Sequence, residues 1–358
     1  MANIVRLVLA VLLLLGIGGG IFGCALFSGG TQAVIEITPV SGVVPLTIHY
    51  SGSGSTGPSG ITTYHWTFGT GEDSYTESGY YTYEHAGVFT VTLTVRAGDG
   101  STATKSVTVE VAPAVWITDT NLDTLYRLSM DGDVLDSFHL PVGQPQGVTI
   151  AEADGATWLF IACKNNGNQR IVRVDPVTGN VTGNYPAPAQ SPRNLTYAAD
   201  EPKRIWHVDG LSRKLYGMNR TNLQVLGSFG QNYFKSTSPQ VGNVQFLWTP
   251  AGLDWTPKNN ASGYLWYLEG ETRLLYKIRI IPRYDIMSGT QLEIVGDPVA
   301  LDPYLFPTAG IDFYAGYLWV VDIAHHAIVQ VDADTGEPTG TKITGFPGAL
   351  PGGIEIQQ

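Results

Sequence analysis

Three carboxylates at matching places in a repeated motif are the residues best placed to do chemistry in this chain. The motif is Pro, a short gap, Gly or Asn, then alternating apolar residues. It reads Pro145-Gln-Gly147-Val-Thr149-Ile150, Pro192-Arg-Asn194-Leu-Thr196-Tyr197 and Pro250-Ala-Gly252-Leu-Asp254-Trp255. It returns as Pro307-Thr-Ala-Gly310-Ile-Asp312-Phe313 and Pro351-Gly-Gly353-Ile-Glu355-Ile356. Asp254, Asp312 and Glu355 thus share one position with Thr149 and Thr196. If the copies stand around an axis, these five side chains converge on a central channel. Three carboxylates there could hold a hard cation such as Ca2+ through oxygen ligands. They could also act as a general acid and base pair in a glycosidase-like site. The plain alternative, and the preferred expectation, is that each accepts a hydrogen bond from a backbone amide of the neighbouring copy. No cofactor other than such a cation is expected.

The remaining candidates read as structural. Asp119, Asp209, Glu269 and Asp322 end a second recurring strand, and recurrence with the repeat favours turn capping. His325-His326 could bind metal, but no second histidine pair or cysteine cluster supports it, so a solvated turn is expected. His207, beside Trp206 in a strand, reads as packed. Cys163 ends the apolar run that starts at Trp158 and reads as a small buried hydrophobe. Gly52-Ser-Gly54-Ser-Thr-Gly57 satisfies G-x-G-x-x-G, but strands flank it and no helix follows, so it reads as a turn. Nothing resembles a nucleophile elbow, a Walker loop, a zincin helix or a cysteine zinc site. The balance leans away from an enzyme.

The elements that position these residues are short strands. A second strand follows each of the first four motifs, as Trp158 to Cys163, which lacks the acid, Ile205 to Asp209, Leu265 to Glu269 and Leu318 to Asp322, and a fifth copy, Trp116-Ile-Thr-Asp119, precedes them all. A third follows, as in Leu125-Tyr-Arg-Leu128 and Ile171-Val-Arg-Val-Asp175. Three strands per repeat with room for a fourth is the layout of a β-propeller blade. The phase is informative. The region begins on a second-type strand at Val115 and ends on a first-type strand at Ile354 to Ile356. The C-terminal strand can therefore complete the first blade and remove the exposed edge. Five blades are favoured; a degenerate sixth within Gln231 to Trp248 or Ile281 to Pro303 is the alternative. These motifs, with the turns Asp175-Pro-Val-Thr-Gly179 and Asp332-Ala-Asp-Thr-Gly336, resemble the NHL and YVTN/YncE-like propellers. That resemblance implies architecture rather than activity.

Residues 33–112 carry a different pattern. Phe89-Thr-Val-Thr-Leu-Thr-Val95 alternates strictly, and Ser106 to Val111 closes the segment. Period-two patterning with frequent turns in a segment of this length argues for a β-sandwich. Gly42-Val-Val-Pro45-Leu46, Trp66-Thr-Phe68-Gly69-Thr-Gly71 and Tyr83-Glu-His-Ala-Gly87 resemble the PKD family. That family usually has Asp where Thr67 and Thr70 stand, so a role for those acids is lost here. Trp66 and Phe68 read as core anchors. The resemblance implies a spacer or adhesion role.

Residues 1–30 form an address. Arg6 precedes an apolar run from Leu7 to Phe27, a secretory pattern. Ile21-Phe-Gly23-Cys24 resembles the lipobox of bacterial lipoproteins, which implies lipidation of Cys24, although Phe22 departs from the small residue usual there. The run is also long enough for an uncleaved membrane helix, and simple secretion is the third option. All three export the chain. The net charge of −11 carries no basic footprint, so nucleic acid is not an expected partner.

The expectation is an all-β chain: an anchor or signal over 1–30, a PKD-like sandwich over 33–112 and a propeller over 113–358. Its expected role is a cell-envelope-anchored binding or scaffold protein with a protein or glycan partner. The alternatives are a propeller hydrolase or lyase using channel carboxylates with a cation, and a subunit of a surface array or filament.

Overall fold

The computed structural model describes residues 29–164, 167–199, 203–230, 234–236, 250–256, 263–281, 291–348 and 350–357. The segment holding Cys24 lies outside them. Among the described residues no helix is long and apolar enough to cross a membrane.

The N-terminal strands are β1 (Glu36–Thr38), β2 (Ser41–Val43), β3 (Leu46–Ser51), β4 (Ile61–Thr67), β5 (Asp73–Ser74), β6 (Ser78–Tyr83), β7 (Gly87–Ala97) and β8 (Thr102–Ala112). They form two sheets, β1-β3-β6 and β2-β8-β7-β4-β5. Strand alternation sends Val91, Leu93 and Val95 into the core. There they meet Trp66, Phe68 and Tyr83, so both aromatic anchors are buried as read from the sequence. Their polar atoms are satisfied: Trp66 Nε1 donates to Thr76 O at 3.0 Å and the Tyr83 hydroxyl to Phe68 O at 3.1 Å. Gly52 to Gly57 lies in the connection between β3 and β4.

Five further sheets follow. The first holds β9 (Ala114–Asp119), β10 (Thr124–Leu128) and β11 (Val134–His139). The second runs β12 (Pro145–Ala153), β13 (Ala156–Cys163), β14 (Arg170–Val174) and β15 (Val181–Pro186). The third runs β16 (Pro192–Ala198), β17 (Arg204–Asp209), β18 (Lys214–Asn219) and β19 (Val225–Phe229). The fourth comprises β20 (Phe234–Ser236), β21 (Pro250–Thr256), β22 (Tyr264–Glu269), β23 (Leu274–Ile281), β24 (Gln291–Ile294) and β25 (Val299–Ala300). The fifth runs β26 (Pro307–Tyr314), β27 (Tyr317–Asp322), β28 (Ala327–Val331) and β29 (Pro338–Thr344). The last strand, β30 (Pro351–Gln357), returns to the first sheet and pairs antiparallel with β9, Glu355 opposite Trp116. Strands β24 and β25 thus widen the fourth sheet; residues 282–290 and most of Gln231 to Trp248 lie outside the described residues, among which no sixth repeat sheet stands apart.

Each sheet packs on the next through its own apolar cluster. Trp116 and Leu125 meet Val148 and Val172. Phe160 and Ile171 meet Leu195 and Ile205. Trp206 and Leu215 meet Leu253 and Tyr267. Trp266 and Leu275 meet Ile311 and Leu318. Trp319 and Ile328 meet Ile117 and Ile354, which brings the fifth sheet onto the first. The first strands follow the same cyclic order: β12 contacts β16, β16 contacts β21, β21 contacts β26, β26 contacts β30, and β30 contacts β12. This narrow spacing explains the glycine of the motif. A Cβ on Gly353 would stand 2.5 Å from Gly147 Cα, and one on Gly147 would stand 2.6 Å from Asn194 Cα.

The two ends of this assembly differ. First strands start at their prolines, and second strands end opposite them, as Pro192 opposite Asp209 shows. The turns between second and third strands therefore share the proline end. The sandwich joins at the other end. Only Pro113 separates β8 from β9, and Ala114 pairs with Gln357. Arg127 donates to Val43 O at 3.0 Å and to Val44 O, while pairing with Asp136 at 2.8 Å. Gln357 donates to Glu84 O at 3.3 Å and accepts from Trp116 Nε1 at 3.0 Å. The proline end is left facing away from the sandwich.

Candidate functional site

The first strands bring Asp254, Asp312 and Glu355 together. One carboxylate oxygen from each lies within 4.8 Å of the others, and all three residues are buried. Thr149 and Thr196, at the equivalent positions of two other first strands, are also buried.

The partners follow one rule. Thr149, Thr196, Asp254 and Asp312 each accept from the backbone N–H one residue beyond the equivalent position in the next sheet. Tyr197 N donates to Thr149 Oγ1 at 3.1 Å, and Trp255 N to Thr196 Oγ1 at 3.0 Å. Phe313 N donates to Asp254 Oδ2 at 2.8 Å, and Ile356 N to Asp312 Oδ2. Thr196 also donates its hydroxyl proton to Asp254 Oδ1 at 3.0 Å. A first strand has a neighbour in its own sheet on one side only. Its other side would leave amides unpaired, and these side chains supply the acceptors. The oxygen chemistry also suits a hard cation, for which Asp254, Asp312 and Glu355 are the residues that would serve. Direct attack on a substrate is poorly served, because Asp254 and Asp312 are 1% and 0% exposed.

Three of the four acids ending the second strands cap turns. Asp119 Oδ1 accepts from Asn121 N and Leu122 N at 2.9 and 2.7 Å. Asp209 Oδ1 accepts from Leu211 N and Ser212 N at 3.0 and 2.7 Å, while its Oδ2 takes Ser191 N at 2.6 Å. Asp322 takes His325 N at 3.3 Å and its Nδ1 at 2.7 Å. Glu269, one methylene longer, accepts from the Tyr267 hydroxyl. Asp175 and Asp332 cap the next turn in the same way, and these backbone amides hold both carboxyls below the usual range.

The histidines divide. His325 is exposed, but His326 is half-buried, stacks on Phe346 and bonds Gly348 O, because the loop before β30 folds over it. A solvated turn describes only the first of them. His207 is fully buried and its Nδ1 donates to Asn194 O at 3.0 Å. Burial depresses its pKa, against the opposing pull of Asp209. Cys163 is a buried free thiol, and burial pushes it up to about 12, out of nucleophilic range.

Two larger cavities lie at the ends of these first strands. One, of about 680 Å3, lies where the sandwich meets the sheets and is lined by Glu84, Glu152, Tyr197, Lys203, Phe313 and Gln357. Burial raises the Glu84 carboxyl, with His85 pulling the other way. The other, of about 590 Å3, opens at the proline end. Its lining includes Lys164 and Arg193, which the sequence reading did not single out. Aligning the repeats carries a signal: Arg193 stands where other copies have Gln146, Ala251 and Gly352.

Residues 33–111 match the PKD domain family. The N-terminal sandwich is a PKD-like domain. Among solved structures, the PKD1 domain of Vibrio anguillarum Epp is 27% identical, with 24% of this chain and 95% of that one covered and a TM-score of 0.21. A chain of a nidogen/laminin complex is 14% identical over 69% of this chain and 99% of that one, with a TM-score of 0.45. The virginiamycin B lyase from Staphylococcus aureus is 16% identical over 70% of this chain and 79% of that one, with a TM-score of 0.37.

Proposed function

We propose that this chain is an exported binding or scaffold protein. In this reading residues 113–358 close as a five-bladed β-propeller, and the PKD-like domain over 33–112 carries it on one end. Residues 1–30 tie the chain to the cell envelope through lipidated Cys24 or a retained helix. The other end of the propeller meets a protein or glycan at the cell surface. The cyclic packing of the five sheets supports closure, and the PKD match is consistent with export.

The asymmetry of the two ends carries the functional reading. The sandwich occupies one end. The proline end, free of the sandwich, exposes Leu122 at 49%, Leu211 at 66%, Tyr304 at 78% and Phe306 at 47%, whereas the exposed apolar residues at the sandwich end, Val177 and Tyr317 among them, stand beside a second domain. Large apolar side chains held on capped turns cost solubility unless a partner covers them. Asp254 and Asp312, by contrast, are engaged by backbone amides, which favours binding over catalysis.

The test compares the two ends. Purified protein is titrated against defined envelope polysaccharides and surface-protein ectodomains, with Leu211→Asp/Tyr304→Asp and, on the sandwich, Tyr80→Asp/Val88→Asp. The first pair is expected to lose at least about tenfold in affinity, roughly 1.4 kcal/mol, and the second pair to bind as wild type. The reverse pattern would move the binding surface to the sandwich and overturn the reading.

A further inference from the structure

We propose that the proline end carries an oxyanion site built on Arg193 and Lys164, which takes a carboxylate or phosphate group of the ligand. The proposal rests on the reading that this end is the binding surface. Both cations line the cavity of about 590 Å3, together with Gln190, Ser191, Gly210 and Glu271. That volume lies in the range of small-ligand sites. Arg193 also lines a smaller depression of about 160 Å3, beside Thr120 and Gln146, so it stands between the two hollows.

Charge points to the ligand class. The chain holds 31 acids against 20 lysines and arginines. Neither Arg193 nor Lys164 makes a side-chain hydrogen bond or ion pair with another described residue. Two cations with no side-chain partner among the described residues therefore share one cavity in an acidic protein. Among the described lining residues Glu271 is the one acid, and it has a partner of its own.

Geometry points the same way. Gly210 has no side chain, and a Cβ there would stand 3.2 Å from Arg193 Nε and 3.5 Å from its Cγ. The arginine stem lies against this bare backbone, next to Ser191 Oγ, which holds the guanidinium near the cavity wall. A guanidinium offers a planar donor fork that fits two oxygens of one oxyanion, and an ammonium adds a point charge. Ser191 and Gln190 add neutral polar groups that orient whatever the anion is attached to. The fold does not require the arginine, because Ala251 and Gly352 occupy the same repeat position elsewhere.

The experiment is calorimetric titration of the purified protein with trigalacturonate, the neutral galactose trimer and inorganic phosphate. Trigalacturonate or phosphate is expected to bind, and the neutral trimer to fail. Tighter binding of trigalacturonate identifies a carboxylated sugar, and tighter binding of phosphate a phosphorylated group. Arg193→Ala and Lys164→Ala should each weaken binding about tenfold, the double variant should abolish it, and added salt should weaken it in the wild type. The proposal falls if neither anion binds at millimolar concentration, if the neutral trimer binds equally, or if Arg193→Ala binds as wild type. If Leu211→Asp/Tyr304→Asp loses a surface partner that Arg193→Ala still binds fully, only the oxyanion site falls. If neither variant affects that partner, the reading of the proline end falls with it.

Discussion

Replacing Thr196 with valine keeps the shape of the side chain and removes one hydroxyl from the series of inter-sheet bonds. That hydroxyl accepts from Trp255 N and donates to Asp254 Oδ1, both at 3.0 Å, at a residue 1% exposed. The variant leaves a buried N–H without its acceptor, which costs about 1–3 kcal/mol, and deprives a carboxylate of a donor, a bond worth about 1.5–3 kcal/mol. Thr149 is the internal control. It is equally buried and accepts the same kind of bond, from Tyr197 N at 3.1 Å, but its hydroxyl has no carboxylate partner among the described residues. Thr149→Val should therefore cost only the first term. At about 2–4 °C per kcal/mol for a domain of this size, Thr196→Val should melt about 3–12 °C below Thr149→Val. Scanning calorimetry of both variants, with urea unfolding as a second probe, measures the gap. Equal melting temperatures, or a worse Thr149→Val, would refute the coupling of Thr196 to Asp254.

Four other outcomes are expected. Deleting 351–358 removes β30, exposes the edge of β9 and loses the burial of Ile354 and Ile356, about 3–6 kcal/mol from those two side chains alone; aggregation or a large fall in melting temperature should follow, and wild-type melting would count against strand return. EDTA should leave the melting temperature unchanged, because the amides of Phe313 and Ile356 already occupy channel oxygens; a Ca2+-dependent rise that Asp254→Asn abolishes would reassign Asp254, Asp312 and Glu355 to a cation. His207 has a depressed folded pKa, so its contribution is whole above the unfolded value near about 6.5 and is lost as pH falls toward about 4; His207→Phe should flatten the melting temperature against pH between those limits, and an unchanged slope would place the titration elsewhere. Mass spectrometry of membrane-derived protein should find a mature chain beginning at lipid-bearing Cys24, and an intact residue 1 would favour the retained helix.

Much of the architecture was legible because it rests on local periodicity. Val91, Leu93 and Val95 alternate with threonines, and a strand has no other way to bury that pattern than on one face. The recurring Pro–Gly motif marked the first strand of every repeat, and counting strand types from Val115 to Ile356 was enough to expect β30 beside β9. Asp119 and Asp209 could be read as caps because a short carboxylate reaches amides two and three residues ahead in its own turn. Other features depended on tertiary structure. Thr149 and Thr196 do the same job as Asp254 and Asp312, which residue type alone conceals and the spacing between neighbouring sheets decides. Gln357 clamps Trp116 to Glu84, and Arg127 holds the carbonyls of Val43 and Val44, through contacts no motif spells out. Arg193 and Lys164 share a cavity because two adjacent sheets end on the same side. Periodicity records how each residue faces its own strand, whereas side chains from separate strands meet only once the packing of sheet on sheet sets their axes and ends.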